Sequence, residues 1–370
     1  VELRWSREKL RGAATLRIAV ARDDREARPL RVKLARSGRE LGAFDIRYSC
    51  EFEPFDLALD AQAADAAQSE GVRLMLDGGQ KPLSLLVPDA QSAPGLAPQL
   101  WQPGRVKPET EFVARMSSLD SLQQLSWMEG CVLEGLHDLG FRRPWRRRLQ
   151  FWFHSPDRYH RMFGVEATLP AASLARWNPR HPAVHETIAY WRKMTRPDQT
   201  IGHGDSLVAE SNYTVAYPMA VLSARLHDDW LPAQALRQLR AARDRLVFQD
   251  KLWLRAFSSG GRTYPNWCRG VCWYALGLAR TLVELGRLAN AGDLQLELAR
   301  VLAFARRYQR PDGLYSGFLD QPEIAPDTSG SAGIAAAMAI AANHGLAPPE
   351  CRQSALLTWQ ALLARLTADG

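Results

Sequence analysis

Residues 266–285 read NWCRGVCWYALGLARTLVEL, and this stretch decides how the carboxy-terminal two-thirds of the chain is read. From Val271 onward, Leu276, Leu278, Ala279, Leu282 and Val283 recur at helical spacing, which predicts an amphipathic helix. Its head is polar and aromatic: Asn266, Trp267, Arg269, Gly270 and then Trp273 on the first turn. Helix starts favour small polar caps and acidic residues, because free N–H groups and the dipole make that end positive. Arg269 works against that field unless an anion sits with it. The anion is either a carboxylate of the protein or one carried by a ligand.

Helical periodicity extends outward from this stretch. Helices are expected near 119–139, 144–154, 167–176, 182–195, 212–228, 231–247, 270–288, 291–309, 329–344 and 348–367. They come in pairs, and the phrases MTRPDQTIGHG, YQRPDGLYSG and LTADG each read as a helix end followed by a turn. Helical hairpins in series stack as a solenoid or close as a toroid. Ten helices make five hairpins, one short of a six-hairpin ring, so a last hairpin is expected to be missing. Before about residue 105 the period is that of strands. TLRIAVA and PLRVKLAR alternate apolar and basic residues, and short runs separated by Gly, Pro and Asp follow to PLSLLVP. The expected fold class is α+β in two domains. An antiparallel β-sandwich-like domain spans 1–105, a Pro- and Gly-rich linker spans 106–117, and an (α/α) toroid of six-hairpin type spans 118–370.

The chain has 370 residues, 46% hydrophobic and 24% charged, with a formal net charge of +7 that favours an acidic partner. No apolar stretch approaches the roughly 18 residues of a membrane helix. The five cysteines are odd in number and scattered, so a disulfide framework is not expected. Cys268 and Cys272 lie four apart, but no second pair or His-rich motif accompanies them, and no metal site is expected; half-buried thiols are. The first residues, VELRWSREKLRG, lack a signal core and an initiating Met, which suggests a removed leader or a start inside the gene. A bacterial protein of the cytoplasm or periplasm is expected, with room for a homo-oligomer.

Four stretches carry candidate chemistry. In HGDSLVAESNYTVAYPMAVLSARL, residues 203–226, a loop with His203, Asp205 and Glu210 feeds an apolar helix with Pro218 inside it. An interior proline costs about 3 kcal/mol, so a kink or break near Tyr213–Tyr217 is expected. Glu210 is either a helix cap or, among Val208, Ala209 and Val215, a general acid of raised pKa. Glu166 stands alone among Phe163, Val165, Ala167 and Leu169 and needs a partner if buried. In APDTSGSAGIAAAMAIAANHG, residues 325–345, Asp327, Thr328, Ser329 and Ser331 head a helix of small residues suited to tight packing. Tryptophans 127, 177, 253, 267 and 273 fall in loops or at helix ends, where rings suit the C–H faces of sugars; a core role is the plainer reading for each. The basic run FRRPWRRRLQFWFH, residues 141–154, places Trp145, Leu149, Trp152 and Phe153 on one helix side and arginines on the other. A solvated face explains it, and no nucleic-acid partner is expected.

With these residues laid out, the helical part resembles the unsaturated glucuronyl and rhamnogalacturonyl hydrolases, glycoside hydrolase families 88 and 105. The resemblance is carried by Trp267-Cys268-Arg269-Gly270-Val271-Cys272-Trp273, Asp312-Gly313-Leu314-Tyr315 and Thr328-Ser329-Gly330-Ser331-Ala332, and covers roughly residues 118–370. It implies an (α/α)6 barrel acting on oligosaccharides that end in a 4,5-unsaturated uronic acid. An acid protonates the double bond, water adds at C5, and the resulting hemiketal falls apart, with no metal or organic cofactor. It associates Arg269 with the uronate. Aligning Pro218 on the family's proline puts Ser211 at the acid position and Glu210 one residue away, while Glu166 best matches the second carboxylate. Glu210 and Glu166 are therefore the expected catalytic pair, and Arg269, Trp267, Trp273, Tyr213, His203, Asp327 and Ser329 the expected substrate-binding residues. The rivals are β-glucuronidase action by the same Glu pair, a toroidal polysaccharide lyase using Tyr213, His203 and Asn212, and a non-catalytic carbohydrate-binding protein.

Overall fold

A computed structural model describes residues 1–5, 10–22, 26–49, 51–78, 81–88, 94–102, 107–159, 164–286 and 291–367. Phe163 and Cys50 lie outside the described residues. The chain divides into two compact units, 1–124 with 366–370, and 125–365.

The first unit carries β1 (Glu2–Leu3), β2 (Ala14–Ala19), β3 (Ala27–Leu34), β4 (Glu40–Arg47), β5 (Pro54–Leu59), α1 (Ala61–Glu70), β6 (Val72–Leu76), β7 (Gln99–Trp101) and α2 (Pro108–Ser117). The strands form two antiparallel sheets, in the orders β1-β6-β3-β4 and β5-β2-β7. The alternation seen in sequence puts Leu16, Ile18, Leu30, Val32, Leu34, Phe44 and Ile46 into one core. Three features differ from the sequence pattern. The alanine-rich run after β5 is a helix, capped by Asp60 Oδ1 accepting from Ala63 N at 2.7 Å, with Ala64 and Ala67 buried. The Pro- and Gly-rich stretch contains β7, which pairs with β2. Residues expected as a linker form α2, begun by Pro108 with Glu109 and Glu111 in its first turn.

The second unit is built from helical hairpins. Its helices are α3 (Trp127–Asp138), α4 (Arg142–Phe153), the short α5 (Pro156–Tyr159), α6 (Pro170–Trp177), α7 (Pro182–Met194), α8 (Tyr217–Leu226), α9 (Trp230–Leu246), α10 (Cys268–Leu285), α11 (Gly292–Arg307), α12 (Thr328–Asn343) and α13 (Pro349–Leu363). Helices α3, α6, α8, α10 and α12 pack in succession, and each packs on the long helix after it, α4, α7, α9, α11 or α13. Among the described residues this makes the five hairpins expected from the sequence, as an arc of inner helices backed by outer ones. Strands β8 (Ser206–Val208), β9 (Val247–Phe248), β10 (Lys251–Phe257) and β11 (Arg262–Pro265) join them, with the order β11-β10-β8 and β9 on β10. Trp253, expected in a loop or at a helix end, is on β10.

Packing between inner helices explains the small residues of α12. A methyl group at Gly330 or Gly333 would run into Cys268 Sγ or Cys272 Sγ of α10. Cys268 and Cys272 are fully rather than half buried, and burial pushes both thiols well up. The basic helix α4 buries Trp145, Leu149, Trp152 and Phe153 as expected, but Arg148 is also buried. It donates from one Nη to both oxygens of the buried Glu129, at 2.9 and 3.0 Å, which repays part of its desolvation.

Candidate active site

The stretch that feeds α8 shapes one rim of the helical unit. Residues 212–216 form a π-helical turn, and Pro218 sits in the first turn of α8, where its missing N–H costs little. The break expected near Tyr213–Tyr217 is this wide turn. It lies against α10 so closely that a side chain at Gly277 would overlap the Asn212 backbone. Thr214 Oγ1 donates to Glu210 O at 3.0 Å, and Thr168 Oγ1 donates to Thr214 O at 2.5 Å. The second bond ties the short 3-10 turn that carries Glu166, Val165–Ala167, to the turn that follows Glu210.

Glu210 is the outlier among the acidic residues here. Its Oε2 is buried and has no hydrogen-bond partner. Burial pushes its carboxyl up to about 7, a neighbouring Glu166 adds to the rise, and its own backbone N–H and Arg255 oppose it. Ser211, at the aligned acid position, is buried and committed: its Oγ donates to Val208 O at 2.6 Å and accepts from Gln238 Nε2 at 2.8 Å.

Three residues beyond Glu210 an aromatic wall begins. Tyr213 stacks on Trp273 with centroids 5.9 Å apart and on Tyr217 at 5.6 Å, and Trp127 meets Trp273 edge-on at 5.1 Å. Tyr213 is buried and Trp273 nearly so, whereas Trp127 is half-buried and Arg269 lies one turn before Trp273 on α10. Arg269 Nε pairs with Asp327 Oδ2 at 3.1 Å, and its guanidinium lies over the Trp267 ring at 4.5 Å. The anion at the mouth of α10 is thus a protein carboxylate. The Arg269 side chain nevertheless stays 44% exposed, and its Nη groups make no hydrogen bond to a described residue.

Asp327 does two jobs, since its Oδ1 also accepts from Gly330 N at 2.9 Å and caps α12. Ser329 is exposed and donates to the same oxygen at 2.7 Å. Asn266, with φ of 54°, is locked to β10 through Leu252 N, which donates to its Oδ1 at 3.0 Å, and turns the chain into α10. His203 stands exposed in a tight turn, exchanging backbone bonds with Ser206 at 2.9 and 3.0 Å. The structure thus brings the turn that carries Glu166 against the turn that follows Glu210, near enough for the charge of Glu166 to act on the Glu210 carboxyl. It joins Tyr213, Trp273, Trp267, Arg269, Asp327 and Ser329 through α10 and the head of α12. Among the described residues His203 bonds only with Ser206 and joins neither group. Arg255 and Thr263, which sequence reasoning passed over, enter through β10 and β11; the alternation in LWLRAF was their signal.

With this geometry in view, the chain can be set beside known proteins. Residues 213–370 match the family model described as Glycosyl Hydrolase Family 88. That match covers the three motifs that carry the resemblance and supports it. It begins at Tyr213, so neither Glu210 nor Glu166 falls within it. No curated protein matches the chain. Among solved structures, a possible member of the GH105 family from Salmonella enterica superposes with a TM-score of 0.60 at 18% identity, covering 69% of this chain and 72% of the other. A family 105 glycoside hydrolase from C. acetobutylicum gives 0.59 at 14% identity, covering 70% and 82%. An unsaturated glucuronyl hydrolase from Bacillus sp. GL1, responsible for the degradation of glycosaminoglycan, gives 0.51 at 16% identity, covering 65% and 72%. At these identities the likeness is one of fold, and it supports the (α/α) toroid read from the hairpins.

Proposed function

We propose that this protein is a glycoside hydrolase that releases a terminal 4,5-unsaturated uronyl residue from an acidic oligosaccharide, with Glu210 as the proton donor. Glu210 gives its proton to C4 of the double bond, water adds its oxygen at C5, and the hemiketal so formed opens and releases the rest of the sugar. Glu166, whose charge favours the protonated form of Glu210, takes the proton from the attacking water. Trp127, Trp273 and Tyr213 supply ring faces for the sugar, and Arg269 with Trp267 draws anionic sugars to the mouth of α10. One observation carries the reading. Glu210 is a buried carboxyl with an unpartnered oxygen that still holds its proton near neutrality, as a general acid requires.

The π turn between Glu210 and Pro218 favours Glu210 over Ser211. A π turn takes in one residue more than an α turn, which is the offset the alignment left. The soluble-substrate test is direct. An unsaturated uronyl disaccharide should lose the ultraviolet absorbance of its conjugated double bond in the presence of the protein. Turnover of a chromogenic β-glucuronide instead, or a gain of absorbance on intact polymer, would replace this reading with a glucuronidase or a lyase.

A further inference from the structure

The small sheet beside Glu210 holds polar groups that the reaction above does not use. Arg255 on β10 stands directly opposite Val208 of β8 on one side and Thr263 of β11 on the other. Cross-strand partners project from the same face of a sheet. Ala209 N continues the pairing, donating to Leu254 O at 2.9 Å, and Glu210 follows at once. The side chains of Arg255 and Thr263 therefore flank the approach to Glu210, and Arg255 lies near enough for its charge to act on the Glu210 carboxyl.

Along this stretch three buried side-chain atoms have no hydrogen-bond partner: Arg255 Nε, Thr263 Oγ1 across the strand from it, and Glu210 Oε2. Arg28, Arg148 and Arg280 also leave Nε unmatched, but each anchors its Nη groups on a carboxylate; Arg306 on α11 shares the unmatched state but does not stand on the sheet that leads into Glu210. The Arg255 side chain makes no hydrogen bond or ion pair to any described residue. A half-buried guanidinium left without an acceptor is costly, and so is each unsatisfied polar atom beside it. The sheet face thus carries a planar cationic fork and a hydroxyl side by side, with an acid within reach of the fork's charge. Arg269 is less suited to the inner position, since its Nε is taken by Asp327 and much of it faces solvent.

We propose that Arg255 and Thr263 form the inner subsite for the acidic sugar, Arg255 gripping the ligand's carboxylate through its fork and Thr263 hydrogen-bonding one of its oxygens. This rests on the uronyl-hydrolase reading and names the residues that make the site specific for an acid. A singly charged carboxylate fits better than a phosphate, because the negative charge of Glu166, near enough to act on Glu210, would repel a dianion more strongly. Engagement of Arg255 by the substrate also removes its pull on the Glu210 carboxyl, so substrate binding keeps the acid protonated.

The test compares wild type with Arg255→Met, Arg255→Lys, Thr263→Val and Arg269→Met. Each is assayed on an unsaturated uronyl disaccharide and on its methyl ester, with circular dichroism and Tm as folding controls. Arg255→Met should raise KM for the acid by roughly 10- to 100-fold, leave the ester nearly unaffected, and so abolish the preference for acid. Arg255→Lys should recover part of it, and Thr263→Val should raise KM a few-fold. Arg269→Met should show a smaller, salt-dependent rise. A folded Arg255→Met protein that keeps wild-type KM and acid preference overturns the proposal while the reaction stands. If wild type turns over neither sugar, the functional reading has failed. Calorimetric binding of glucuronate then decides the subsite: lost in Arg255→Met it supports the fork, equal in both it overturns it.

Discussion

Two buried glutamates in the helical unit have opposite surroundings. Glu134 on α3 accepts from Ser173 Oγ at 2.7 Å, from Arg176 Nη1 at 3.0 Å and from the Tyr217 hydroxyl, with Arg280 Nη1 at 3.7 Å. Arg176 also reaches Glu284, and Arg280 Nη2 donates to Asp138 at 2.5 Å. This network lies beneath a cavity of about 340 Å³ lined by Asp138, Arg176, Tyr217, Arg280 and Glu284. Glu210, beyond the aromatic stack Tyr217–Tyr213–Trp273, has an unpartnered oxygen, and the charge of Arg255 acts on it without bonding it. A carboxylate satisfied on every side holds helices together. One starved of partners keeps its proton and has it to give. Each has a buried carboxylate oxygen, and what separates them is whether that oxygen finds a partner.

The largest effect expected from this contrast is in catalysis. Glu210→Gln should lower kcat about 10²- to 10⁴-fold while leaving Tm unchanged or slightly higher, because an unpaired buried acid is replaced by a neutral amide. Glu134→Ala should do the reverse in stability. It leaves Arg176 and Arg280 short of a counter-ion and should cost about 3–5 kcal/mol in denaturant unfolding.

Stability against pH sharpens the same comparison. The Glu210 carboxyl rises from 4.5 to about 7 on folding. Between those values the folded state binds the extra proton, so stability falls as pH rises through the window. Below 4.5 Glu210 costs nothing, and above about 7 it costs the full amount, roughly 3 kcal/mol. The difference in unfolding free energy between wild type and Glu210→Gln, followed across that range, should show this slope. A smaller effect concerns the packing under the mouth of α10. Gly333→Ala places a methyl group against Cys272 Sγ and should cost about 1–3 kcal/mol in thermal unfolding, with KM little changed.

The hairpins were legible because each inner helix repeats its apolar positions over three or more turns, as α10 does from Val271 to Leu285. The question posed by Arg269 was legible too, since an arginine at a helix start needs an anion, but its partner Asp327 lies 58 residues on, at the head of α12. Sequence could pair them only through a packing it does not state. Helix α1 was missed because ten small residues between strands carry little periodicity. The sheet of unit 2 was missed because LWLRAF is a short alternation within helical surroundings. There, only cross-strand register shows that Arg255, Thr263 and Val208 share a face. Glu210 was visible as a lone carboxylate among apolar neighbours. What sequence left open was whether a cap or a proton donor stood there, and the unpartnered Oε2 favours the donor.

The pH dependence of kcat/KM on an unsaturated uronyl disaccharide bears on Glu210 most directly. Activity should hold while the carboxyl is protonated and fall tenfold per pH unit above an apparent pKa of about 7. A profile that stays level through that region, or that first requires deprotonation of a group near 7, would mean that Glu210 is not the acid.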